Sequence, residues 1–190
     1  YPQMPADFTN AYVLGSLGRS GASMGACASF LYNLHHAVEG IQEGRYQIAV
    51  VGGADCSITP EVIEGFRAMG ALAEDHGLRE LDGLSEHEIP NYRKTSRPFG
   101  LNCGFTMGES SQYVILMNDQ LAVDLGATIF GSIPTVASHA DGGKRSISAP
   151  GAGNYLTLAQ AAASIRDLLG QDVLANETLV QAHGTSTPQN

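Results

Sequence analysis

The chain has 190 residues, 43% of them hydrophobic and 15% charged, enough for one sizeable globular domain and not the composition of a disordered one. Its net charge of −9 offers no basic face to nucleic acid, no apolar run nears the ~20 residues of a membrane-spanning helix, and no signal-peptide pattern opens it. A cytoplasmic protein with neither nucleic-acid nor membrane partners is therefore expected. Three cysteines, Cys27, Cys56 and Cys103, form no CxxC pair and leave one over, so neither a disulfide framework nor a metal centre is predicted.

Residues 1–17 hold two prolines among short apolar pieces and read as a loop or short helix. From Gly18 to Gly44 a run of small residues feeds Leu31, Leu34, Val38 and Ile41 at helical spacing, which predicts a helix from about Cys27 to Glu43, stopped by Gly44. Tyr46 to Gly53 contains IAVVGG, an unbroken apolar run that suits a strand buried on both faces of a parallel sheet. A helix is predicted over Ile58 to Ala73, with Thr59 placed to cap it and Pro60 in its first turn. Residues 74–95 carry six acidic residues and two histidines without clear periodicity and read as a long exposed excursion; His76 and His87 lack metal-ligand spacing.

Strands are predicted at Phe105–Met107 and Gln112–Met117, then a short helix from Asn118 to Gly126 with Asn118 as its cap, then a strand at Ala127–Ile133. Residues 134–155 form a Gly, Ser, Ala and Pro loop around His139, of a length that is usually functional or mobile. An alanine-rich helix, Leu156–Leu169, ends at Gly170, and a strand, Thr178–Ala182, precedes His183. The alternation of strand and helix predicts the α/β class with a largely parallel sheet.

Two stretches carry chemistry. Cys27 sits where Gly21, Ala22, Gly25, Ala26 and Ala28 meet a helix start; these residues leave room for a ligand to approach the backbone, and the positive end of a helix favours a thiolate. Free cysteine is otherwise usually a small buried hydrophobe, the reading given to Cys56 and Cys103. In the C-terminal LVQAHGTSTPQN, Gly184 turns the chain after His183 so that Thr185, Ser186 and Thr187 present hydroxyls.

GACAS around Cys27, VVGGAD at 50–55, SRPF at 96–99, GFTMGE at 104–109 and AHGTSTP at 182–188 together resemble the β-ketoacyl synthases, the condensing enzymes of fatty acid and polyketide synthesis. The motifs fall in the family's order along nearly the whole chain. The resemblance implies a thiolase-like fold of five layers (αβαβα), with the Cys27 helix among its buried central helices. It implies decarboxylative Claisen condensation of an acyl group on Cys27 with malonyl-acyl carrier protein, His183 being the first of two catalytic histidines. Thr185 and Thr187 match threonines that hydrogen-bond phosphopantetheine, which arrives as a thioester on acyl carrier protein or CoA. A homodimer is likewise expected from the family.

Alternatives sharing the fold are a non-catalytic partner subunit of the chain-length-factor kind, against which Cys27 speaks, and a degradative thiolase, against which HGTSTP speaks. The family's second histidine and its lysine belong downstream of HGTST, and the chain opens at Tyr1 without a Met. Residues 1–190 are thus expected to be a single partial ketosynthase domain, cut from a larger synthase, inactive alone and with apolar faces uncovered. An acidic insertion at about 74–95 and Gln189–Asn190, where the family commonly has Gly-Asp, imply a divergent subgroup, possibly one using a CoA-linked primer.

Overall fold

The computed structural model describes residues 3–143 and 151–188. The chain divides into two compact units, Tyr1–Ala54 with Ser111–Thr178 and Asp55–Ser110 with Leu179–Asn190. Gln189 and Asn190 lie outside the described residues, as does part of the 134–155 loop.

In the first unit, helix α1 (Met4–Phe8) has a proline in its first turn and continues into a single π-helical stretch, Thr9–Leu14, that ends at Gly15. The predicted nucleophile helix forms as a 3₁₀ turn, Ala26–Ala28, leading into α2 (Ser29–Gln42), and Gly44 follows it at φ +70°. Strand β1 (Ile48–Asp55) begins in this unit, and its register with a later strand settles the sheet direction. Among the described residues the sheet has two strands, β1 and a segment within Ser110–Met117. Asn118 N–H donates to Gln47 O at 2.9 Å, while Gly52 faces Gln112 and Tyr113. Residue numbers rise along one strand as they fall along the other, so this pair is antiparallel.

The largely parallel sheet expected from the sequence is not what these two strands form. An unbroken apolar run reports burial, not direction, and even burial is one-sided here. Val51 is buried and Ala49 packs beneath it, whereas Ile48 and Val50 are exposed. The core unites Leu34 and Ala37 of α2 with Val51, flanked by Leu116, Ile133 and Val136. The α2 stripe at helical spacing thus meets the alternating face of the strand.

The second unit departs further from expectation. Helix α3 (Pro60–Ala68) has Thr59 at its N-cap without a side-chain capping bond, and it stops five residues before the predicted Ala73. The chain turns at Gly70, φ +63°, and then runs beside Phe105. Phe105 N–H donates to Ala71 O (2.9 Å) and Ala73 N–H to Phe105 O (3.1 Å), a single parallel bridge where a strand was predicted. Residues 74–95 are mostly exposed, as expected, but they are not irregular. They hold helix α4 (Asp75–Asp82) and a 3₁₀ turn, Tyr92–Lys94, and Leu78 of α4 is only 2% exposed. Two leucines at i, i+3, Leu78 and Leu81, are too short a period to read among the charges.

The chain then forms the second strand, β2 (Ser110–Met117), and α5 (Asp119–Asp124), where Asn118 Oδ1 accepts from Gln120 N–H at 3.1 Å as its cap. Helix α6 (Gly153–Leu169) starts three residues before its predicted bound, Gly170 follows it at φ +97°, and α7 (Gln171–Asn176) was not predicted. Neither 127–133 nor 178–182 is a strand. A strand needs a neighbour for its N–H and C=O groups, and no described segment forms a ladder with either stretch. Phe130 is 97% exposed and Leu179 90%, so large apolar side chains do remain uncovered.

Gly104 gives the fold a sharp test. It sits at φ +147°, and a Cβ there would fall on the Leu72–Ala73 peptide group. Gly104→Ala is expected to lower stability by about 2–4 kcal/mol through overpacking and backbone strain. Gly65→Ala, in an α3 position with nothing within 4 Å, is expected to raise it by up to about 1 kcal/mol. Denaturant midpoints of the two variants check this, and equal shifts would contradict the packing described.

Candidate active site

In the first unit the site is built around a left-handed turn. Gly25 has φ −154° with ψ 38°, outside both the helical and the extended regions, and Ala26, though not glycine, has φ +49°; together they aim the chain into the 3₁₀ turn that carries Cys27. Cys27 is a free, exposed thiol at the start of α2. Two α2 side chains one helical turn apart hold the approach. Ser29 Oγ accepts from Gly25 N–H (3.0 Å) and donates to Ala26 O (2.7 Å). Asn33 Oδ1 accepts from Ser23 N–H (2.8 Å), and its amide donates to Ser29 O (2.9 Å) and Ser23 O (3.3 Å). Tyr32 closes over Gly25 so tightly that a Cβ at position 25 would overlap its ring.

In the second unit the HGTST loop has one residue turned inward. Ser186, read from sequence as presenting its hydroxyl, is 0% exposed and left-handed at φ +64°. Its Oγ accepts from Arg97 N–H at 2.8 Å and lies 3.2 Å from Ser96 Oγ, while its carbonyl accepts from Gly104 N–H at 3.1 Å. The SRPF and GFTMGE motifs therefore grip the middle of the loop. On either side, Thr185 and Thr187 hydroxyls lie 3.0 Å apart, half-buried, and His183 is exposed. The structure thus brings His183, Thr185 and Thr187 onto one loop of the second unit, while Cys27 belongs to the first.

The other cysteines differ from Cys27 in surroundings. Cys56 is exposed, not the buried hydrophobe expected, and the Glu109 carboxylate that hydrogen-bonds it pushes its thiol up. Cys103 is half-buried against Gly77 of α4, and burial pushes its thiol up, with Arg97 opposing. In both, the shift disfavours the thiolate. His35 and His36 both approach Glu39, at 3.4 and 4.0 Å, on the outer part of α2. Phe105 packs edge-on against Phe66, with ring centroids 5.0 Å apart. Among the described residues no group of three or more His, Cys, Asp or Glu is placed to hold a metal ion, and no helix is long and apolar enough to cross a membrane.

Sequence reasoning passed over Ser29, Asn33 and the inward turn of Ser186. The i, i+4 spacing of Ser29 and Asn33 was the available signal, since it puts both on the helix face above the turn. Asn33→Leu removes the partner of the Ser23 N–H while keeping size, and an unpaired part-buried donor costs about 1–3 kcal/mol. Ser23 amide exchange is expected to accelerate by roughly tenfold or more. Unchanged exchange would show that Asn33 does not hold the turn.

The model of the β-ketoacyl synthase N-terminal domain matches residues 9–122, Cys27 included. The β-ketoacyl-[acyl-carrier-protein] synthase FabY of Pseudomonas aeruginosa is 52% identical over 190 residues, 100% of this chain and 30% of that protein. The fatty acid synthase alpha subunit stcJ of Emericella nidulans is 32% identical over 189 residues, 96% of this chain and 12% of its own length. The chain thus spans less than a third of these curated relatives. The crystal structure of the noncanonical ketosynthase FabY from P. aeruginosa matches with a TM-score of 0.94 at 52% identity, over 99% of this chain and 29% of that one. A type II polyketide ketosynthase in complex with its acyl-carrier protein matches with a TM-score of 0.76 at 25% identity, over 99% and 42%. The fold is the thiolase-like α/β fold that the motifs implied, and the chain belongs to the β-ketoacyl synthase family.

Proposed function

We propose that the protein carrying this chain is a β-ketoacyl synthase that condenses an acyl group held on Cys27 with a malonyl thioester, with loss of carbon dioxide. The observation that carries this reading is the exposed, free Cys27 thiol delivered by a left-handed turn to the start of α2, within a chain of this family. In the first half-reaction the Cys27 sulfur attacks the acyl thioester carbonyl, a new thioester forms, and the donor leaves as a free thiol. Backbone N–H groups at the helix start, that of Cys27 among them, are suited to the tetrahedral oxyanion.

In the second half-reaction the malonyl unit loses carbon dioxide to give an enolate, which attacks the Cys27 thioester and releases the thiolate. His183 donates to the malonyl thioester oxygen as the enolate develops. Thr185 and Thr187 hold the phosphopantetheine arm, brought by acyl carrier protein or CoA. No cofactor beyond this carried arm is invoked. A single ketosynthase domain of which residues 1–190 are part, a homodimer and a cytoplasmic location belong to the same reading, on family grounds.

Two variants separate the roles. Cys27→Ala is expected to abolish acyl loading and to lower condensation by roughly 10³-fold or more. His183→Ala is expected to leave acyl loading within a few-fold of the parent while lowering malonyl decarboxylation by roughly 10²-fold or more. Steady-state rates with acyl and malonyl thioesters measure both. Loading that survives Cys27→Ala would overturn the assignment of the nucleophile.

A further inference from the structure

Helix α4 lies in the acidic segment that the motifs do not account for, and one of its carboxylates reaches the loop that holds Ser186. Asp82, the last residue of α4, forms a fork with Arg97: Nη1 donates to Oδ1 and Nη2 to Oδ2, each at 2.8 Å. Arg97 Nε donates to Lys94 O at 2.6 Å, so each of the three guanidinium nitrogens makes one hydrogen bond. The pair is partly shielded at the surface, with Arg97 at 20% and Asp82 at 29% side-chain exposure. Paired planar geometry of this kind specifies orientation as well as charge. The helix beneath it is fixed in turn by Leu78, which lies one turn before Asp82 and is buried.

The backbone of the same Arg97 donates to Ser186 Oγ, and Pro98 and Phe99 lie against Gly184, where an added Cβ would come within 3.1 Å of Pro98. The SRPF segment is itself strained, with Phe99 at φ +59°. A left-handed phenylalanine in an exposed loop persists when its surroundings over-determine it. The Asp82 fork supplies that determination from one side and the Ser186 contacts from the other.

We propose that Asp82 is a positioning residue for the condensation half-reaction: through Arg97 and the SRPF turn it fixes Ser186, and hence the flanking His183, Thr185 and Thr187. The acidic segment then has a task, to buttress the loop that addresses the malonyl thioester. The Arg97 hydrogen bond holds the Asp82 carboxyl below the usual carboxylate range, in keeping with a persistent charged fork. The inference rests on the proposed role of the HGTST loop for its kinetic consequence, but its structural link stands apart from that role.

The test uses the full protein with Asp82→Asn, which keeps shape and loses the charge, and Asp82→Glu, which keeps the charge. Hydrogen exchange is read at the Arg97 and Gly104 amides, both donors to Ser186, and at the 21–31 segment around Cys27. In Asp82→Asn the two amides are expected to exchange at least tenfold faster with the 21–31 segment unchanged, and Asp82→Glu to recover most of the protection. On the kinetic side, Asp82→Asn is expected to lower malonyl condensation at least tenfold, partly restored in Asp82→Glu, while loading of Cys27 from a simple acyl thioester that lacks the phosphopantetheine arm stays within twofold. Exchange that is unaltered, or altered equally in the 21–31 segment, overturns the inference, as does an equal fall in condensation and in loading from that armless donor. A parent protein that loads no acyl group overturns the proposed function instead, and leaves the exchange result to decide on Asp82.

Discussion

Everything around the nucleophile depends on holding Ala26 at φ +49°. A residue with a Cβ in this left-handed region pays roughly 1–2 kcal/mol relative to an ordinary helical residue. The turn persists because neighbouring groups leave it few alternatives: Ser29 grips the carbonyl of Ala26 and the N–H of Gly25, Asn33 grips Ser23, and Tyr32 occupies the space that a side chain at 25 would need. The grip comes from the first turns of α2 itself, and the helix is anchored further along by Leu34 and Ala37 against Val51. Core packing thereby reaches the thiol through one helix. A rigid helix carrying both the anchor and the grip gives a more defined sulfur position than a loop alone.

The HGTST loop solves its own version of the same problem. Ser186 is left-handed and fully buried, and its hydroxyl and carbonyl are both spent on backbone N–H groups of other motifs. The inward residue between two threonines explains the motif's alternation in physical terms. One side chain fastens the loop, and the hydroxyls of its two neighbours lie 3.0 Å from each other. Each unit thus pairs a strained backbone position with polar side chains that satisfy the local N–H and C=O groups, as buried backbone requires.

The parts legible in the sequence are those governed by local pattern. The helical stripe Leu31, Leu34, Val38, Ile41 gave α2 and its stop at Gly44, IAVVGG marked β1, and Asn118 marked the cap of α5. Short motifs were enough to single out Cys27, His183, Thr185 and Thr187 as candidates. Elements whose existence depends on a distant partner were not legible: 105–107, 127–133 and 178–182 have strand-like composition, yet forming a strand requires a neighbour that composition does not specify. Helix α4 was hidden for the opposite reason. Its charges are conspicuous, while of its two leucines, Leu78 and Leu81, only Leu78 is buried. Nor does a motif say which of its residues faces inward, and so Ser186 was read as a presented hydroxyl.

The identity of the acyl-bearing atom is the point on which this account turns. The most direct measurement is peptide mass spectrometry of the protein after incubation with acetyl, octanoyl and longer acyl donors on CoA and on acyl carrier protein. The tryptic peptide Ser20–Arg45 contains Cys27 and no other cysteine. The expected result is an acyl mass increment on that peptide which disappears when malonyl thioester is added. A folded protein that shows no increment there with any donor, or carries it on Cys56 or Cys103, would contradict the account.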